Sequence, residues 1–236
     1  SADVALLPSI QLGNARADDL VRNNGIAANA VEIHKDHIVG HMFRLSYRPN
    51  WRWLGMSEAD SHAFIEDVEA AWMEFCDPVF GSMDVEGRRS FTEFIREGVG
   101  VHTFNGEIFV QPVWDTESTS LFRTKFKTIS PKRVSTPGYG TGDRFMRAGV
   151  EINRYGKALA YHVQEDDWPG YGVSNWTRIA ATLPSGRPGM IHVFQPQEDG
   201  QTRGANQFYS VMERLKMLDT LQATQLQSAV VRAMYA

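Results

Sequence analysis

The chain has 236 residues, of which 42% are hydrophobic and 22% charged, and 24 Lys and Arg stand against 28 Asp and Glu for a net charge of −4. This composition fits a soluble globular protein with a core of its own, and no apolar run approaches the ~20 residues needed to cross a bilayer. An acidic balance also argues against a protein that grips nucleic acid tightly.

From Asp18 to Ile38, Leu20, Val21, Ala27, Ala28, Val31, Ile33 and Ile38 predict a helix, interrupted by a turn or kink at Asn23-Asn24-Gly25. In the segment HMFRLSYRP, Phe43, Leu45 and Tyr47 alternate with Met42, Arg44 and Ser46, the period of a half-buried strand. Ser57 is a candidate N-cap, followed by Glu58 and Asp60, for a helix that runs through Phe75 and ends at Cys76-Asp77-Pro78. Cys76 is the sole cysteine, at helical spacing after Phe64, Ile65, Val68 and Trp72; it reads as a core thiol that can form no internal disulfide, and a reducing compartment fits.

Ser90 and Glu93 form a capping-box pair for a second helix, which carries Phe91, Phe94, Ile95 and Val99 and reaches Asn105-Gly106. The segments GEIFVQPVW and LFRTKFKTI then read as strands, and GVEINRYGKALAYHVQE as a hairpin around Tyr155-Gly156-Lys157. Thr136 to Gly142 and Trp168 to Gly172 read as exposed loops between sheet elements. Helices before a block of strands and a long helix after it predict an α+β fold with a mixed or antiparallel sheet. Without internal repeat or long linker, residues 1–236 are expected to form a single domain.

Chemistry has few footholds. His34, His37 and His41 stand at i, i+3, i+7, a spacing that would suit zinc, but Gly40 is expected to end the helix before His41 joins the face, so no metal site is assigned. Gly138, Gly140 and Gly142 lack the strand, the helix and the Lys-Ser/Thr of a phosphate loop, and there is no G-x-S-x-G elbow. No catalytic residue and no cofactor are assigned. Arg123, Lys125 and Lys127 alternate with apolar and polar residues, so one face of that strand is basic; a solvated outer face is expected, with weak phosphate contact as the functional alternative.

The last segment is the most informative. Phe208, Val211, Met212, Leu215 and Leu218 recur at helical spacing, and neither Gly nor Pro follows Asn206, so the helix carries no stop signal. With the equally abrupt Ser1, this predicts a piece of a larger protein. No residue from Thr220 to Val231 is charged, which implies either packing within the domain or a subunit interface. Arg203, Leu221, Gln222, Gln225, Leu226, Ala229 and Val230 are the candidate interface residues.

Three stretches, IHVFQPQEDGQTRGANQFYSVMERLKMLDTLQATQLQSAVVRAMYA from Ile191, GNARADDLVRNNGIAANAVEIHKDHIVGHMFRLSYRP from Gly13 and SPKRVSTP from Ser130, resemble the portal proteins of lambda-type tailed phages. The likeness extends through EAAW, FIREGV and FNGEIFVQ to essentially the whole chain. It implies a structural protein rather than an enzyme: a homo-oligomeric, dodecameric ring at one vertex of the capsid, admitting double-stranded DNA during packaging and releasing it at ejection. The implied partners are terminase, capsid or scaffold, and head-tail connector proteins. The implied location is the virion, and the host bacterial cytoplasm during assembly. This chain would be the body, or wing, with stem, clip and crown in further chain beyond it. Two rivals are a metal-dependent phage nuclease built on His34, His37 and nearby carboxylates, and a monomeric adaptor module.

Overall fold

A computed structural model of the protein describes residues 2–41, 43–76, 83–117, 120–165 and 175–235. Helix α1 (Ala2–Leu6) and a 3-10 turn lead into α2 (Ile10–Asn23) and α3 (Gly25–Ile38). The expected helix therefore begins earlier than Asp18, because Ile10, Gly13, Asn14, Ala17 and Leu20 form one continuous buried face. Its expected interruption is real. Asn24 leaves the helical conformation, and its side chain accepts hydrogen bonds from the Ile26 and Ala27 amides at 3.0 Å each, restarting the chain as α3.

Helix α4 spans Glu58–Cys76, and Ser57 caps it by accepting from the Asp60 amide at 3.1 Å. Its expected stop at Asp77-Pro78 lies outside the described residues, and Cys76 is half-buried rather than a core residue, with burial pushing its thiol up to about 11. Helix α5 (Phe91–Asn105) opens on the full Ser90–Glu93 capping box and closes on left-handed Gly106.

The strand expected at residues 42–47 is not a strand. Met42 lies outside the described residues, and residues 43–50 are extended without a ladder partner. The alternation survives in part: Leu45, Tyr47 and Pro49 are more covered than their neighbours, but Phe43, expected on the same face, is exposed. Tyr47 packs on α4, its ring 6.0 Å from that of Phe64, and two of the freed amides are taken by side chains: Phe43 N–H donates to Thr92 Oγ1 at 3.1 Å and Tyr47 N–H to Glu69 Oε1 at 3.0 Å.

The strands make two antiparallel sheets. In the first, β1 (Glu107–Trp114) lies between β2 (Thr124–Ile129) and β7 (Ile191–Phe194). In the second, β3 (Met146–Arg147), β4 (Val150–Ile152), β5 (Ala158–Gln164) and β6 (Trp176–Ala180) follow in chain order, with the predicted hairpin as β4 and β5. Between them lies a core of Phe109, Ile129, Val134, Val150, Tyr161, Val163 and Met190. A second core, of Ala17, Leu20, Ala27, Val31, Phe208 and Met212, joins α2 and α3 to the start of the last helix. The loop expected at residues 136–142 contains a 3-10 turn at Gly138–Gly140, with Pro137 and Gly140 buried. The loop at residues 168–172 lies outside the described residues.

Candidate functional site

Helix α6 runs from Met212 to Met234, and Met212 is its one buried residue. A 3-10 turn at Gln207–Ser210, capped by the Asn206 side chain accepting from the Phe208 amide at 2.7 Å, delays the helix beyond the sequence-based start. The first turn packs against α2; beyond it the helix stands clear of the body. Leu221 is 53%, Leu226 68% and Val230 53% exposed. Packing within the domain, one of the two expectations for Thr220 to Val231, is therefore overturned. The uncharged stretch Thr220 to Val231 on such an exposed helix loses little by being covered and much by remaining wet.

The helix is aimed by a buried polar anchor. Arg203, in the loop before α6, is 0% exposed, as is Glu107 at the start of β1. Arg203 Nε lies 2.9 Å and 3.0 Å from the two Glu107 oxygens and Nη2 lies 2.6 Å from Oε1. The remaining guanidinium hydrogens go to the carbonyls of Val134 at 2.9 Å, Pro131 at 3.0 Å and Ala148. All five donors are used. Glu107 Oε2 also accepts from the Gly204 amide at 2.8 Å and from His192 Nε2 at 2.9 Å, while the His192 ring stacks between Phe109 and Phe194 at 4.1 Å and 4.5 Å. One guanidinium thus binds β1, the β2–β3 connection, the β3–β4 turn and the base of α6 into a single junction.

The family model described as phage portal protein, lambda family, matches residues 1–236. The chain is 64% identical over its whole length to the portal protein of Escherichia phage N15, and 62% identical to portal protein B of Escherichia phage lambda. The chain belongs to the lambda family of phage portal proteins. It spans 44% of the length of each of these two relatives.

In this portal chain the candidate interface residues divide. Leu221, Gln222, Gln225, Leu226, Ala229 and Val230 all lie on exposed turns of α6. Arg203 does not join them: with no accessible surface it touches no partner, and its work is internal. The basic strand divides too. Lys125 is buried, and its ammonium pairs with Asp115 at 3.0 Å, so the expectation of a solvated face fails there; Arg123 is exposed and Lys127 half-buried. His34 Nδ1 lies 2.9 Å from the Ala30 carbonyl oxygen one turn back, and among the described residues no group of His, Cys, Asp and Glu converges to hold a metal ion. Nothing favours the nuclease reading. Sequence reasoning missed Glu107 and His192. A carboxylate at the head of an apolar strand was the available signal for Glu107, but its partner 96 residues away was not.

The anchor makes stability pH-dependent. Burial alone would raise the Glu107 carboxyl, but the Arg203 charge and the bonds from His192 and Arg203 hold it down to about 2. Burial pushes His192 below the ordinary histidine value, against the pull of Glu107. Both groups bind protons more readily when unfolded, so both contributions are complete at neutral pH and shrink as pH falls. The His192 contribution starts to be lost below about 6.5, and that of Glu107 below about 4.5, on the order of 3 kcal/mol in total for the carboxylate. Urea midpoints measured from pH 8 to 3 should fall in these two stages, and Glu107→Gln should remove the lower one.

Proposed function

We propose that the intact protein is the portal of a tailed phage: a homo-oligomeric ring at one capsid vertex through which double-stranded DNA is packaged and ejected. Residues 1–236 supply its body, or wing, as one domain. The support is the match of residues 1–236 to phage portal proteins, and the single structural observation that carries the reading is the exposed, uncharged stretch Thr220 to Val231 of α6, a surface suited to burial against other protein. Assembly surfaces on α6 centre on Leu221, Leu226 and Val230, flanked by Gln222, Gln225 and Ala229.

In this reading the mechanism is geometrical. A closed ring needs heterologous contacts, one face of each copy meeting a different face of the next. Terminase, capsid or scaffold, and head-tail connector proteins are the proposed partners, in the host cytoplasm during assembly and then in the virion. DNA contact by this region is weak, with Arg123 and Lys127 as its phosphate-facing cations, so affinity should vanish as salt rises. No catalytic role is proposed.

Electron microscopy and sedimentation of the full-length protein test the reading, with rings and incorporation into particles as the expected result. Leu226→Glu with Val230→Glu should leave unfolding within about 0.5 kcal/mol of the parent, because both side chains are exposed, yet abolish assembly. A full-length protein that stays monomeric and is absent from particles would overturn the reading.

A further inference from the structure

Residues 43–76 form an arm. At its base Phe43 meets the Phe91 ring edge-on at 5.6 Å, Trp72 meets the same ring at 4.9 Å, and Phe75 meets Phe122 at 5.2 Å. From there the extended segment runs along α4, Tyr47 lying 6.0 Å from Phe64, and the chain reverses at residues 51–55. At 1.5 Å of rise per residue between Ser57 and Trp72, the reversal stands about 22 Å from the base.

The tip is rigidly built. Trp53 N–H donates to Asn50 Oδ1 and Leu54 N–H to the Asn50 carbonyl, each at 3.2 Å; Met56 N–H donates to the Trp51 carbonyl at 3.0 Å, and the Arg52 guanidinium lies 5.0 Å over the Trp51 ring. Trp53 is nevertheless 84% exposed. Tryptophan is the residue type that most often anchors an interface, and a turn already held by its own hydrogen bonds loses little entropy on docking. Behind the tip, α4 carries Glu58, Asp60, Glu66, Asp67, Glu69 and Glu74 with no Lys or Arg, outnumbering Arg44, Arg48 and Arg52 of the strap and tip, so the arm as a whole is acidic. The occupant that suits this arm is an apolar socket with a cationic rim.

The chain carries such a socket on its second sheet. A cleft of about 740 Å³ is lined by Phe145, Met146, Ile152, Tyr155 and Leu159. The Arg144 guanidinium lies 4.6 Å over the Phe145 ring and that of Arg154 lies 4.5 Å over Tyr155, which is 77% exposed. Of the two carboxylates that line the cleft, that of Glu151 is already held by Arg178 at 2.8 Å, which leaves Asp143 to meet Arg52 of the incoming tip. We propose that the Trp53 tip of one copy seats in the Phe145–Tyr155–Leu159 cleft of a second copy, with the α4 carboxylates facing Arg144 and Arg154. Unlike surfaces pair, so the contact repeated from copy to copy is head-to-tail, the geometry that forms a ring where the rotation between copies closes. The inference rests on the ring reading above and names one of its contacts.

The test mixes two variants of the full-length protein, one with a broken arm, Trp53→Ala, and one with a broken cleft, Arg144→Glu with Arg154→Glu. The altered side chains are exposed, so thermal unfolding of each should match the parent. Each variant alone should self-associate at least about tenfold more weakly in sedimentation velocity. Mixed in equal amounts they should recover paired species, since one supplies an intact cleft and the other an intact arm. Glu58→Arg with Asp60→Arg should restore association to the Arg144→Glu, Arg154→Glu cleft. Parent-like association of either single variant, or a mixture that fails to pair, overturns the contact. A Trp53→Ala protein that still forms rings overturns it while the portal reading stands; mixed variants that pair while the parent forms no ring uphold the contact and sink the portal reading.

Discussion

Arg203→Met should destabilise the protein by about 3–5 kcal/mol, although Arg203 has no surface and touches nothing outside the chain. The substitution strands the Glu107 carboxylate in a site with no accessible surface and takes the guanidinium donors from the Pro131, Val134 and Ala148 carbonyls. An unpaired buried charge is far costlier than the loss of a surface ion pair. Glu107→Leu alone should be severe for the reciprocal reason. The double variant should lose less than the sum of the singles, because no charge remains to be stranded. Guanidinium unfolding of the four proteins gives the coupling directly. Strict additivity would show that the guanidinium and carboxylate act independently, contrary to their geometry.

Gly106→Ala should cost about 4 kcal/mol or more, or prevent folding. Gly106 ends α5 at φ +79, and a Cβ there would lie 2.0 Å from the Ala205 carbonyl oxygen and 2.8 Å from the Asn206 amide nitrogen, both backbone atoms. The α5–β1 corner and the loop into α6 would have to separate, and that loop carries Arg203. Gly156→Ala separates strain from collision: it shares the left-handed conformation at φ +82, but nothing lies within 4 Å of its added Cβ. The control should cost only the conformational penalty of about 1–2 kcal/mol. Thermal unfolding of both variants measures the difference, and equal losses would mean that the close approach at Gly106 is unimportant.

Local signals were the ones legible in the chain. The Ser90–Glu93 box, the Ser57 cap, the Asn24 interruption and the hairpin at Gly156 all involve residues within a few positions of each other, and each took the form expected. Residues 43–50 misled because alternation records only which side chains are covered. A strand and an extended strap along a helix share that record, and only the strand finds a ladder. Lys125 misled similarly: alternation placed it with Arg123 and Lys127, but Asp115, across the β1–β2 pairing, draws it out of solvent.

The family, the α+β order of elements and the absence of charge from Thr220 to Val231 were written in the sequence, because each depends on residue types and short-range spacing. What the tertiary structure decided was direction and exposure. Arg203 reads as a surface charge until Glu107 meets it across 96 positions, and Thr220 to Val231 reads equally well as core or interface until α6 is seen to leave the body after its first turn. Burial of a charge and exposure of an apolar helix are set by which distant segments arrive beside them, and no spacing within a single element encodes that.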